Sequence, residues 1–247
     1  MNRSAEIPLP DALLCEACGY NLTGVPREGQ CPECGVAIAR SLPSLRRAPA
    51  WETGERPGFW PWLAVSSGVV FHPGRFFREL TPRGDMGRSA RFAAGHELLV
   101  CALFGLCLAL QLRWMLILPG RFSMANAAAS VAAVALVPLI FASLVVLRLA
   151  TRLAVRLTRW EAGYRGLRLP LPVVQRAMHY HAAHYIPVAI MVTVTVVGYH
   201  GLVALDVLSE LHGPGFLYVL SAEVLAGAAY LFETYWIAMR KLMWANG

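Results

Sequence analysis

Four stretches of this chain, residues 97–118, 127–147, 184–205 and 214–238, are long and apolar enough to cross a bilayer, and they limit its fold more than any other feature. A helix rises about 1.5 Å per residue, so about 20 apolar residues cover a hydrocarbon core of ~30 Å. Within that core every backbone N–H and C=O needs a partner inside the protein, and a helix supplies one segment by segment. The expected fold class is therefore an all-α polytopic membrane bundle with four transmembrane helices. Composition agrees, because 57% hydrophobic and 15% charged residues with a mean hydropathy of +0.50 are membrane values. The N-terminus is polar and carries no pattern of a secretory leader.

Basic residues orient the spans. Arg75, Arg78, Arg83, Arg88 and Arg91 precede the first, and Arg148, Arg152, Arg156, Arg159, Arg165, Arg168 and Arg176 lie between the second and third. The connection 119–126 holds only Arg121, and 206–213 holds no positive charge. With Arg240 and Lys241 near the end of the chain, the positive-inside rule predicts a multi-pass protein of the cell inner (cytoplasmic) membrane with both termini cytoplasmic. The net charge of +7 is accordingly a topology signal, and no nucleic-acid partner is expected. Arg148, Arg152 and Arg156 recur at four-residue spacing while Leu149, Leu153, Leu157 and Trp160 fall on a neighbouring face. That pattern predicts a cytoplasmic arginine-rich helix over 148–176, lying along the inner leaflet with membrane lipids as partners. All but Lys241 of the 22 basic residues are arginine, and genome base composition explains that preference equally well, so it implies no specific lipid recognition.

The second constraint is a pair of knuckles, Cys15-Glu-Ala-Cys18-Gly and Cys31-Pro-Glu-Cys34-Gly. Each Cys-x-x-Cys turn offers two thiolates, and two turns complete a tetrahedral shell around one structural Zn²⁺ with no position left for water. Gly19 and Gly35 stand where such a turn needs positive φ. Two disulfides or a redox pair are the alternatives, but doubled knuckles with paired glycines favour zinc. About forty residues bury little core, so the ion would supply most of the folding free energy. The surrounding charge, Arg3, Arg27 and Arg40 against Glu6, Asp11, Glu16, Glu28 and Glu33, lacks the basic surface of a nucleic-acid module. Tyr20, Leu22, Val25 and Ile38 form either an apolar contact patch or a minimal core. A reducing cytoplasm suits zinc-held thiolates, in agreement with the arginine argument.

The chain thus divides into a small N-terminal β zinc ribbon (1–40), a flexible linker with three prolines (41–57), an interfacial amphipathic segment (58–95) and a four-helix transmembrane domain (96–247). In the third part, residues 59–80 mix Trp60, Trp62, Phe71, Phe76 and Phe77 with Pro73, Gly74, Arg75 and Arg78, which predicts an interfacial or re-entrant helix. A fifth span there would put the ribbon outside.

The sequence from Cys15 to Gly24, Cys-Glu-Ala-Cys-Gly-Tyr-Asn-Leu-Thr-Gly, followed by Cys31-Pro-Glu-Cys34-Gly, resembles the short zinc ribbon at the head of many bacterial membrane proteins. Phe71-His-Pro-Gly-Arg-Phe-Phe-Arg-Glu-Leu80 with several spans after it resembles the entry motif of bacterial Yip-domain membrane proteins. The likeness covers about twenty-five residues in the first case and one short motif in the second. It implies a helical membrane bundle with a role in membrane organisation or protein recruitment, and it brings no catalytic residues.

Polar residues inside spans are the remaining candidates for chemistry. Glu223 lies deep in the last span, where a hydrogen bond to His200 or Tyr199 is offset by roughly a helical turn, and Glu233 sits at a depth comparable with His184 and His181. These pairs suit either structural interhelical hydrogen bonds or a proton path. His179, His181 and His184 hint at a second metal, although 179 and 181 point about 200° apart on a helix. Cys101 and Cys107 read as packing residues and Arg113 as a snorkelling one. Pro138 and Pro187 are expected to bend their helices, and Gly105-x-x-x-Ala109, Ala128-x-x-x-Ala132 and Ala222-x-x-x-Ala226 offer close-approach faces. The expected function is a non-enzymatic membrane scaffold or complex subunit whose ribbon contacts a protein partner, with no small-molecule substrate. The alternatives are a small transporter or proton-coupled membrane enzyme using the intramembrane Glu and His residues, and a regulator that releases zinc on thiol oxidation.

Overall fold

A computed structural model describes residues 12–54, 58–117, 125–205 and 214–246. The described residues are mostly helical. Helices α1 (Ala50–Thr53), α2 (Phe59–Phe71) and α3 (Pro73–Glu79) precede α4 (Met86–Ile117), α5 (Ala125–Arg165), α6 (Leu171–His181), α7 (Tyr185–Ala204) and α8 (Pro214–Leu242). Four helical stretches, Met86–Trp114, Ala129–Arg165, Leu171–Ala204 and Gly215–Leu242, are long and apolar enough to cross a membrane, which makes this a multi-pass membrane protein. The connections expected to face outward, 119–126 and 206–213, fall almost wholly outside the described residues.

Local chemistry sets the element boundaries. Pro73 forces His72 out of helical geometry, so α2 stops after 13 residues, about 20 Å and too short to span. The arginine-rich helix ends at Arg165 rather than continuing to 176. Gly166 adopts φ 68°, Leu167 N–H bonds the Ala162 carbonyl at 2.9 Å and Gly166 N–H bonds that of Gly163, a Schellman closure that only a left-handed residue completes. Arg168 therefore lies in a loop and Arg176 on the separate helix α6. Pro187 occupies the first turn of α7, where no intrahelical donor is needed, and the span that holds it is interrupted just before by the 3-10 turn Ala182–His184. Pro138 does lie inside α5. The boundary expected at 95/96 falls within α4.

The chain forms two compact units, one of residues up to 93 with 152–183 and 233–247, the other of 94–151 and 184–232. In the first, Val69, Phe77, Phe92, Val174, Tyr180 and Leu242 build a common core. Below the ring of Tyr180 lies a charge pair that the sequence did not announce. The side chains of Glu52 and Arg176 are each only 2% exposed and meet through two bonds, Nε to Oε1 at 3.0 Å and Nη2 to Oε2 at 2.7 Å. Tyr180 donates to Glu52 Oε1 at 2.5 Å, and Asp85 N–H reaches Oε2 at 3.2 Å. Arg176 also donates to the Thr81 carbonyl.

In the second unit, α4 and α5 approach closely at Gly105, where a Cβ would lie 2.4 Å from Ile140 Cγ1 and 3.1 Å from its backbone nitrogen. The expected small-residue face is real there. On α8 it is displaced by one residue: Ala222 and Ala226 are exposed, and Gly227 is the position packed on Val188. Cys107, Val192, Val196 and Phe216 form a buried cluster, and Glu97 pairs with Arg148 at 3.0 Å.

Candidate metal centre

The two knuckles repeat each other at an offset of sixteen residues. Gly19 N–H bonds the Cys15 carbonyl at 2.8 Å and Gly35 N–H bonds that of Cys31 at 2.9 Å, while Cys15 N–H meets Tyr20 O and Cys31 N–H meets Val36 O, both at 2.8 Å. Gly19 and Gly35 take φ of 80° and 70°, as the turn requires. One isolated antiparallel bridge closes each unit, Leu14 with Asn21 and Gln30 with Ala37. Bridges this short make no strand, so the expected β ribbon is a pair of turns among the described residues. Leu22 and Ile38, at equivalent positions, pack with Cys15 and Cys31 into a small core flanked by Leu13 and Val25. Tyr20 alone of the expected patch stays exposed.

All four sulfurs, of Cys15, Cys18, Cys31 and Cys34, lie within 4.8 Å of one another. Cys15 Sγ is 3.6 Å from Cys34 Sγ and Cys18 Sγ is 3.7 Å from Cys31 Sγ. A tetrahedral ion with metal–sulfur bonds of about 2.3 Å separates its ligands by about 3.8 Å, so the cluster could hold one metal ion as the spacing predicts. No disulfide joins these cysteines. Without a cation the sulfurs would not ionise alike. Desolvation is the largest influence pushing the Cys18 thiol up to about 12. Burial also raises Cys31, but N–H donors at Cys34 and Glu33, together with hydrogen bonds to the Cys18 and Cys34 thiols, outweigh it and bring that thiol down to about 7. A divalent ion would remove this competition for protons.

The knuckles are not on a loose tether. Residues 41–54, read as part of a flexible linker, contain the 3-10 turn Pro43–Leu45 and α1, and they carry buried polar groups that demand partners. Arg46 grips Glu16 of the first knuckle through Nε at 2.7 Å and Nη2 at 2.8 Å, and donates to the carbonyls of Leu80 and Lys241 at 2.8 and 2.9 Å. Trp51 Nε1 donates to Arg88 O at 2.7 Å. The far end of the chain also closes on the knuckles. Asn246, 3% exposed, donates through Nδ2 to Leu14 O at 2.7 Å and Ser41 O at 2.8 Å, and accepts from Leu14 N–H at 3.0 Å. The Trp244 ring lies against Gly19, where a Cβ would come within 2.7 Å of it. Sequence separation hid these contacts, because one polar asparagine near a terminus gives no signal that its amide is buried.

The other polar candidates are dispersed. His179 bonds Ser89 Oγ at 3.0 Å, His181 bonds Thr234 Oγ1 at 3.0 Å, and His184 bonds the Tyr230 hydroxyl at 2.7 Å. Among the described residues no second group of His, Cys, Asp or Glu converges on a metal position. Glu233 is exposed rather than bonded to His181 or His184. His200 bonds Gln111 at 3.2 Å, and Glu223 instead accepts from Thr195 at 2.5 Å. The helical-turn offset between Glu223 and His200 accounts for that change of partner. Cys107 contacts Thr193 Oγ1 at 3.6 Å, a packing role shared by buried Cys101. Comparison with protein-family models, curated proteins and solved structures returns no match to this chain, and the Yip-domain resemblance draws no support from them.

Proposed function

We propose that this protein is a non-enzymatic scaffold or complex subunit of the bacterial inner membrane, with both termini cytoplasmic and a structural zinc ion in its four-cysteine centre. The observation that carries the reading is the closed donor set: four sulfurs at tetrahedral spacing leave an ion no position for substrate or water. A closed site contributes folding energy rather than catalysis. Arg46, Trp244 and Asn246 occupy one side of the knuckles, so the face offered to a protein partner carries exposed Tyr20 and the outer cysteines Cys18 and Cys34. Lipid surrounds the spans, and α2 presents Phe59, Trp60 and Phe71 as aromatic anchors at the head-group boundary. The test is affinity purification in mild detergent. Wild type should recover a stoichiometric partner that Cys31→Ser loses, and failure of both to recover one ends the scaffold reading.

A single observation favours the alternative of a small proton-coupled transporter. Glu223 Oε2 is buried without a hydrogen-bond partner among the described residues, and a carboxylate within an apolar span is a candidate station for a translocated species. That reading requires solute movement in proteoliposomes driven by a pH step and abolished in Glu223→Gln.

A further inference from the structure

Helix α5 ends in an apolar stripe that stays exposed. Its buried face in the first unit is Val155, Thr158 and Ala162, and at 3.6 residues per turn Leu153, Leu157, Trp160 and Tyr164 fall on the opposite side. Both leucines are more than half exposed, Trp160 is 73% exposed and Tyr164 86%. The two rings stack with centroids 6.5 Å apart. At those exposures the aromatic pair alone presents roughly 300 Å² of surface, which with the leucines reaches the size at which an apolar patch marks an interaction site. One flank of the stripe carries Arg152, Arg156 and Arg159, all exposed and none in an ion pair among the described residues. On the other flank the charges of Glu161 and Arg165 cancel in a pair at 2.9 Å.

Lipid would cover such a stripe inside the bilayer, and distance along the helix decides against it. The second apolar stretch ends at Leu147, and the four arginines from 148 to 159 are excluded from hydrocarbon. Helix α5 continues unbroken to Arg165, with neither proline nor glycine from 139 to 162. No kink-forming residue therefore turns its end aside along the leaflet, contrary to the placement that the arginine spacing predicts. Thirteen residues separate Leu147 from Trp160, about 20 Å of helix, and still about 15 Å of height at a tilt of about 40°, the upper end for spans. Head groups extend only about 5–8 Å beyond the hydrocarbon. Trp160 and Tyr164 thus stand in water on the side that the arginines mark.

A second copy of the chain would set six unpaired arginines against one another across a two-fold axis. A helix with an apolar stripe and a row of Asp or Glu answers both features, because its carboxylates meet the guanidinium forks two oxygens at a time. Trp, Tyr and Arg are also the residue types that carry most binding energy at interfaces. We propose that the α5 stripe docks an acidic amphipathic helix of a partner protein, with Leu153, Leu157 and Trp160 as apolar anchors and Arg152, Arg156 and Arg159 fixing direction and register. This surface is separate from the four-cysteine centre. It extends the scaffold reading without depending on a partner for the knuckles.

The experiment titrates the full-length protein, held in phosphatidylcholine nanodiscs, with a fluorescent synthetic helix whose leucines recur at three- and four-residue spacing beside a row of glutamates. A counterpart with lysines in place of the glutamates is the comparison probe, and empty nanodiscs are the blank. Fluorescence anisotropy should show the glutamate helix bound at least about tenfold more tightly than the lysine helix. Trp160→Ala should weaken the glutamate helix about tenfold with an unchanged thermal midpoint, since it truncates an exposed side chain. Arg156→Glu should weaken the glutamate helix and strengthen the lysine one, a reversal that loss of folding does not produce. Equal binding of the two helices, or indifference to Trp160→Ala, overturns the proposal. A photoreactive residue in place of Tyr164 that forms an adduct with phosphatidylglycerol added to the nanodiscs would assign the stripe to lipid and overturn it. A dimer in sedimentation that Trp160→Ala dissociates would assign it to a second copy and overturn it equally. The probe involves no partner of the knuckles, so its outcome is independent of the affinity purification with Cys31→Ser.

Discussion

Removing Glu52 tests whether the buried charge pair organises the first unit. Its carboxylate receives four hydrogen bonds, two from Arg176, one from the Tyr180 hydroxyl and one from Asp85 N–H. Both side chains of the pair are 2% exposed, so Glu52→Ala leaves a guanidinium in the core without its counter-ion. Breaking such a pair costs about 3–5 kcal/mol, a large part of the stability of an ordinary domain. Arg176→Met should cost a similar amount by stranding the carboxylate. The double variant removes both charges together, so its destabilisation should fall short of the sum of the singles by at least about 2 kcal/mol. Unfolding of the detergent-solubilised protein, followed by tryptophan fluorescence across a denaturant titration, would supply the cycle. Trp51, in edge contact with Phe92, reports on the same core. Additive single effects would refute the reasoning and reduce the pair to an incidental contact.

The remaining predictions concern the knuckles and one helix contact. Asn246→Ala removes three buried hydrogen bonds and strands the Leu14 amide, at a cost of about 2–4 kcal/mol. Hydrogen exchange at Leu14 should quicken, and zinc should pass faster to a chelator. Gly19→Ala must place a Cβ at φ 80° and 2.7 Å from the Trp244 ring, so it should lower the thermal midpoint more than Gly24→Ala, which shares positive φ but has open space around it. Gly105→Leu forces α4 away from Ile140 and should destabilise the second unit by about 1–3 kcal/mol, read as a lower thermal midpoint in detergent with zinc content unchanged.

Apolar run length and cysteine spacing were the legible parts of this sequence. Each acts locally, so the four membrane-length helices and the sulfur cluster follow from windows of twenty residues or fewer. Gly166 is also a legible helix stop, since a glycine followed by an apolar residue fits the C-terminal closure seen there. What the sequence concealed were pairings between distant polar residues. Glu52 lies in a proline-rich stretch and Arg176 among topology-setting arginines, and neither position suggests burial. Arg46 and Asn246 present the same difficulty. A segment composed like a linker became ordered because its few charged and amide side chains found partners more than thirty residues away. Periodicity reports which face of an element is apolar and is silent about which buried polar group meets which.

The most direct test of the central claim is metal content combined with X-ray absorption at the zinc edge on the purified full-length protein. One zinc per chain, surrounded by four sulfurs at about 2.3 Å and lost in Cys31→Ser, is the result the four-cysteine centre predicts. Protein free of zinc, or zinc coordinated by fewer than four sulfurs with oxygen completing the shell, would contradict it.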